Sequence, residues 1–193
     1  MQPEVKPNDT FVFFFSGRGI SDNSNRTYLL TADTVISQSY KTSLPLYEIQ
    51  NYLSKMKVKK NIVFLDACRN VIEKTKSINI KTLFGEINSQ AEISAVMYST
   101  SEGEFSYEHD EEPYGVFSAF IINGLKGEAD YNNDVMITFS ALRKYVEDGL
   151  KDWSIKRNKK QKPYTDIIKI KKKDKIKVKG FQNAIPVYQI KIP

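Results

Sequence analysis

The chain has 193 residues, a single cysteine and a formal net charge of +6, which suits one domain with its own core and excludes an internal disulfide. Its 40% hydrophobic and 12% aromatic content excludes a fibrous or broadly disordered polymer. No run approaches the ~20 apolar residues of a membrane helix. The opening MQPEVKPNDT holds no apolar segment, so no secretory leader is expected, and a lone thiol points to a reducing, cytoplasmic setting with no membrane role.

In chain order, residues 10–16 (TFVFFFS) form a short continuous apolar run of β-formers. Runs 61–66 (NIVFLD) and 93–99 (ISAVMYS) are alike. Continuous apolarity without alternation predicts strands covered on both faces, as in a parallel sheet. Residues 17–27, GRGISDNSNRT, read as a polar loop. Between the first two strands, Leu46, Ile49, Leu53 and Met56 recur at helical spacing after Pro45, which predicts a helix over 45–57 and a βαβ unit. A second helix is expected over 114–126, with Val116, Phe117, Phe120, Ile121 and Leu125 as its apolar stripe. A third is expected over 138–152, capped by Thr138 or Ser140, with Leu142, Tyr145, Val146 and Leu150 inward. Over 165–179 Ile and Val alternate with Lys, a pattern of a half-exposed hairpin.

Residues 151–179 carry 13 Lys/Arg against 3 Asp/Glu, so the positive charge lives in this segment. No aromatic residues interleave its later lysines. A solvated strand face is therefore favoured over a nucleic-acid surface.

Two strand ends carry the chemistry. Ser16-Gly17-Arg18-Gly19 follows the first apolar run, and Asp66-Ala67-Cys68-Arg69-Asn70 follows the second. Crevices outside the carboxyl ends of parallel strands bind ligands, so Arg18 and Cys68, fifty positions apart, are expected to share one cleft. Their motifs resemble the S-G-H-G and D-A-C turns of caspase- and metacaspase-type cysteine peptidases, whose histidine lies about 50 residues before the cysteine. Tyr28-Leu29-Leu30 with Asp33, the strand ending Tyr98-Ser99-Thr100 and the segment Tyr114-Gly115-Val116-Phe117 extend the resemblance over about 9–166.

The resemblance implies a three-layer α/β sandwich with a mostly parallel sheet over 1–166, followed by a basic β-hairpin extension at 167–193. It implies that Cys68 is the nucleophile and that the backbone N–H groups of Gly19 and Cys68 form the oxyanion hole. Asp66 stands at the base of the pocket for the residue preceding the cleaved bond, with Ser16 as a further wall, so peptide or protein substrates with Arg or Lys there are expected. Arg18 occupies the histidine position. A guanidinium keeps its proton, so general acid–base catalysis is expected to be impaired. The alternative reading is a pseudopeptidase that binds without cutting. His109, the only histidine, reads as a solvated loop residue.

No cofactor is expected. Many metacaspases use calcium, but Asp33 finds no convincing partners in 46–52 or 72–78. The acidic residues Glu102, Glu104, Glu108, Asp110, Glu111 and Glu112 lack ligand spacing. The family's first strands have no counterpart before residue 10, which implies a sheet completed by further sequence or by a partner chain. Without such a strand, 10–16 is an exposed apolar edge. Family members are often cleaved between the two halves, here about 71–92, with Lys74, Lys76 and Lys81 as candidate sites.

Overall fold

The structure, a computed structural model, describes residues 6–22, 24, 26–55, 58–68, 93–100, 105–170 and 177–179. For 50, 54, 68, 93, 168–170 and 177–179 it describes the backbone alone. The expected helical position Met56, the acidic Glu102 and Glu104, and the 71–92 cleavage segment lie outside this set.

Among the described residues, eight strands and four α-helices follow one another. They are β1 (Thr10–Ser21), β2 (Thr27–Leu29), α1 (Ser39–Thr42), β3 (Leu44–Pro45), α2 (Leu46–Lys55), β4 (Lys60–Cys68), β5 (Ile93–Tyr98), α3 (Val116–Asn123), β6 (Met136–Thr138), α4 (Phe139–Lys156), β7 (Tyr164–Ile170) and β8 (Lys177–Lys179). The six-stranded sheet runs β3-β2-β1-β4-β5-β7. Its centre, β1-β4-β5, is parallel, while β2, β3 and β7 join antiparallel.

Helices cover both faces of this sheet. On one face Leu46, Ile49 and Leu53 of α2 pack on Leu29, Val63, Leu65, Val96 and Tyr98, with Phe11, Phe13 and Phe15 alongside. On the other, Val116, Phe117 and Ile121 of α3 and Leu142, Val146, Leu150 and Trp153 of α4 pack on Ile62, Phe64, Ala95 and Met97. β4 and β5 therefore contribute successive residues to opposite cores, which is why their sequences are unbroken apolar runs. The result is a three-layer α/β sandwich with a mostly parallel sheet.

Three boundaries differ from the sequence expectation. The S-G-R-G motif is not a loop. β1 runs through it to Ser21, because β4 supplies a ladder partner up to Arg18 and β2 takes over at Gly19. Strand character holds over Tyr164–Ile170 and Lys177–Lys179, but these two strands do not pair as a hairpin. β7 lies beside β5, and β8 pairs with β6. A strand as buried as β5 needs ladder partners on both edges for its peptide groups, and β7 supplies the second. Helix α3 ends at Asn123 and passes into a π-turn over Gly124–Glu128, closed by Gly127 at φ 130°.

The edge of β1 facing away from β4 has no strand partner over 10–17 among the described residues. Val12 and Phe14 are 49% and 44% exposed there, so the apolar edge expected from the sequence is present. Among the described residues no helix is long and apolar enough to cross a membrane.

Both long helices of the second core are capped, by different means. In α4 the Thr138 side chain accepts from the Ala141 N–H at 3.1 Å. In α3 the N-cap is Gly115, which has no side chain to offer. Asp66, at the end of β4, takes its place and accepts from the Ser118 N–H at 3.2 Å and the Ser118 hydroxyl at 2.5 Å. A Cβ on residue 115 would stand 2.5 Å from Asp66 Oδ2, so this cap needs glycine at the helix start.

Two substitutions test these caps by denaturant unfolding. Thr138→Ala is expected to lower stability by about 1 kcal/mol, the usual worth of such a cap. Gly115→Ala is expected to cost about 1–3 kcal/mol through overpacking and a displaced carboxylate.

Candidate active site

The β1–β4 ladder sets the site. Its nine rungs run from Thr10 opposite Lys60 to Arg18 opposite Cys68, with Ser16 opposite Asp66 and Gly17 opposite Ala67. Adjacent strands stand about 4.8 Å apart, so the backbones of residues 18 and 68 are immediate neighbours. The Cys68 side chain lies outside the described residues, as do Arg69 and Asn70. Gly19 is buried, one rung further on, where β1 pairs with Leu29 of β2. Ser16 and Arg18 are exposed.

Beside these strand ends lies a cavity of about 380 Å³. Ser16, Gly17, Arg18 and Asp66 line one side, and the 106–108 and 113–115 stretches line the other. The structure thus brings Ser16, Arg18 and Asp66 to one cleft. Gly19 is not among its lining residues. Among the described residues the cleft carries the carboxylates of Asp66 and Glu108 and the guanidinium of Arg18.

Asp66 is the buried member, 5% exposed. Besides its two bonds from Ser118, it accepts from the Ser106 hydroxyl at 2.8 Å. Its partners are all neutral donors, so its charge is not cancelled by a cation among the described residues. A carboxylate offers about four lone-pair positions, and three are used. Its place at the start of α3 adds the favourable field of a helix N-terminus.

The far wall is a short hairpin. Glu108 bridges Gly115, the His109 N–H donates to the Tyr114 carbonyl at 3.1 Å, and the Val116 N–H donates to the Tyr107 carbonyl at 2.9 Å. His109 works inside this tip. Its Nδ1 accepts from the Glu111 and Glu112 N–H groups at 3.1 and 3.2 Å, and it does not line the cavity. The tip is tied to the end of α4, where Arg157 pairs with Asp110 at 2.8 Å. The Arg157 hydrogen bond holds the Asp110 carboxyl below its usual range. Lys159 lies over the Tyr107 ring at 4.7 Å. Two cations of the basic 151–179 segment are therefore engaged in holding the cleft wall. The Tyr114 phenol is pushed above its ordinary pKa, first by desolvation and then by its hydrogen bond to Glu112.

Sequence reasoning missed Ser106, Ser118 and Gln161, which set the surroundings of Asp66. A weak signal existed for Ser118: it is a serine on the buried side of an otherwise apolar helix, one turn in, where orphan N–H groups collect acceptors. Gln161 carried no signal. Among the described residues no three His, Cys, Asp or Glu side chains cluster as a metal site.

A family model for the caspase domain, of the C14 peptidases, matches residues 1–173. No curated protein matches the chain. With a parallel-centred α/β sandwich and a match over most of its length, the chain belongs to the caspase-domain family of peptidases.

Proposed function

We propose that this chain is a cysteine endopeptidase domain directed to bonds that follow Arg or Lys, with amide turnover strongly reduced by Arg18. The observation that carries the reading is the rung joining Arg18 to Cys68, next to a cleft lined by a buried carboxylate, Asp66, that meets no cation among the described residues. A cationic side chain entering that cleft donates a charge-assisted hydrogen bond to Asp66, with Ser16 across the same rung as a neighbouring wall.

Cys68 supplies the nucleophile. Its thiolate adds to the scissile carbonyl, and the developing oxyanion is received by the N–H groups of Gly19 and Cys68. Arg18 contributes to only one of the two proton tasks. A neighbouring guanidinium favours the thiolate by lowering the thiol pKa. It keeps its own proton, however, and so protonates an amine leaving group poorly. A leaving group that departs without a proton escapes this penalty. A reducing cytoplasm suits an enzyme that relies on a free thiol.

A second reading is favoured by Arg18 itself: the cleft binds basic peptides and releases them uncut. The two separate on a single set of assays. An arginine p-nitrophenyl ester should be hydrolysed above a Cys68→Ala control, whereas an arginine anilide should be nearly inert. Arg18→His should raise anilide hydrolysis by about 10²–10⁴-fold, the worth of a general acid–base group. Binding of arginine peptides with no ester turnover and no gain in Arg18→His would leave the pseudopeptidase. Failure of basic peptides to bind would remove both.

A further inference from the structure

The polarity of the hydrogen bonds behind Asp66 can be traced back to the main chain. Gln161, just past α4, is 3% exposed. Its Oε1 accepts from the Tyr107 N–H at 3.0 Å, and its Nε2 donates to the Ser99 carbonyl at 3.0 Å. A peptide N–H can only donate and a peptide carbonyl can only accept, so the amide has a single orientation. Its backbone is held as well, since the Gln161 N–H donates to Ser154 Oγ at 3.3 Å and the Ser154 hydroxyl donates to the Gln161 carbonyl at 3.2 Å. The second hydrogen of Nε2 is directed at Ser106 Oγ, 3.3 Å away. Ser106 thus receives a proton from behind, and its own hydroxyl hydrogen points forward to Asp66 Oδ1 at 2.8 Å.

We propose that Gln161 is a positioning residue for charge selection in the cleft. It keeps Ser106 a donor toward Asp66, and so keeps Asp66 an acceptor-only carboxylate on the cleft side, although Gln161 does not itself line the cavity. This inference rests on the basic-side-chain reading above. Without the amide N–H directed at its oxygen, the Ser106 hydroxyl is no longer fixed as a donor to Asp66, and when it turns away two oxygens with no hydrogen between them face each other. The pair relieves this by rotating the carboxylate. That weakens the contact with a cation while leaving the fit of a neutral side chain of the same shape.

The test compares binding of acetyl-Ala-Ala-Ala-Arg-amide with that of its citrulline counterpart to the full chain carrying Cys68→Ala, by calorimetry. Citrulline keeps the shape of arginine without its charge. The parent protein is expected to favour arginine by about tenfold or more, the scale of one charge-assisted hydrogen bond. In Gln161→Leu the ratio is expected to fall to within about threefold of unity, with citrulline binding unchanged. In a Ser106→Ala background the same Gln161 substitution should leave the ratio as it finds it, because Gln161 acts through Ser106.

Should Gln161→Leu not fold, Gln161→Glu carries the same expectation. It keeps an acceptor for Tyr107 and offers no N–H to Ser106. An arginine preference that survives these substitutions, or an equal loss for both peptides, overturns the inference and leaves the basic-peptide reading standing. No arginine preference in the parent protein overturns both.

Discussion

The parallel pairing of β1 with β4 is the constraint on which the site depends. Nine rungs in register place Ser16 beside Asp66 and Arg18 beside Cys68. Strand side chains alternate between faces, so a slip of one residue would move every one of them to the wrong side of the sheet. The register is held by burial on two fronts. Val63 and Leu65 face one helical layer, and Ile62 and Phe64 face the other. The chemistry at the carboxyl end of β4 is thus positioned by apolar residues that take no part in it.

Much of this frame was legible in the amino-acid order. Unbroken apolar runs marked β1, β4 and β5, because a strand covered on both faces has no polar side to show. Helical spacing marked α2, α3 and α4 for the opposite reason. Boundaries were harder. Glycine-rich Ser16–Gly19 reads as a turn by composition, yet continuous ladder partners keep it extended. The alternation of Ile and Lys near 165–179 announced one-sided exposure but said nothing of which strand would lie alongside, since a partner is chosen by the whole sheet. Polar residues in the core were the least legible. Ser106, Ser118 and Gln161 follow no period, and their role exists only because segments 40 to 55 residues apart are folded together around Asp66 and Ser106.

Family membership and the mixed sandwich agree, and Arg18 sits within that frame. The strand geometry around it is regular: Arg18 keeps its rung with Cys68, and its carbonyl accepts from the Leu30 N–H at 2.9 Å. The scaffold therefore accommodates a guanidinium at this position without losing the ladder.

Asp66 both caps the buried start of a helix and lines the cleft. Those two duties bind positions 66 and 115 into one unit. An aliphatic side chain at 66 would strip α3 of its cap, while a serine or aspartate at 115 that could restore it collides with the carboxylate still in place. Neither change is tolerable first, so positions 66 and 115 are coupled by epistasis. A lineage that exchanges either residue must cross a weakened intermediate or make both exchanges together.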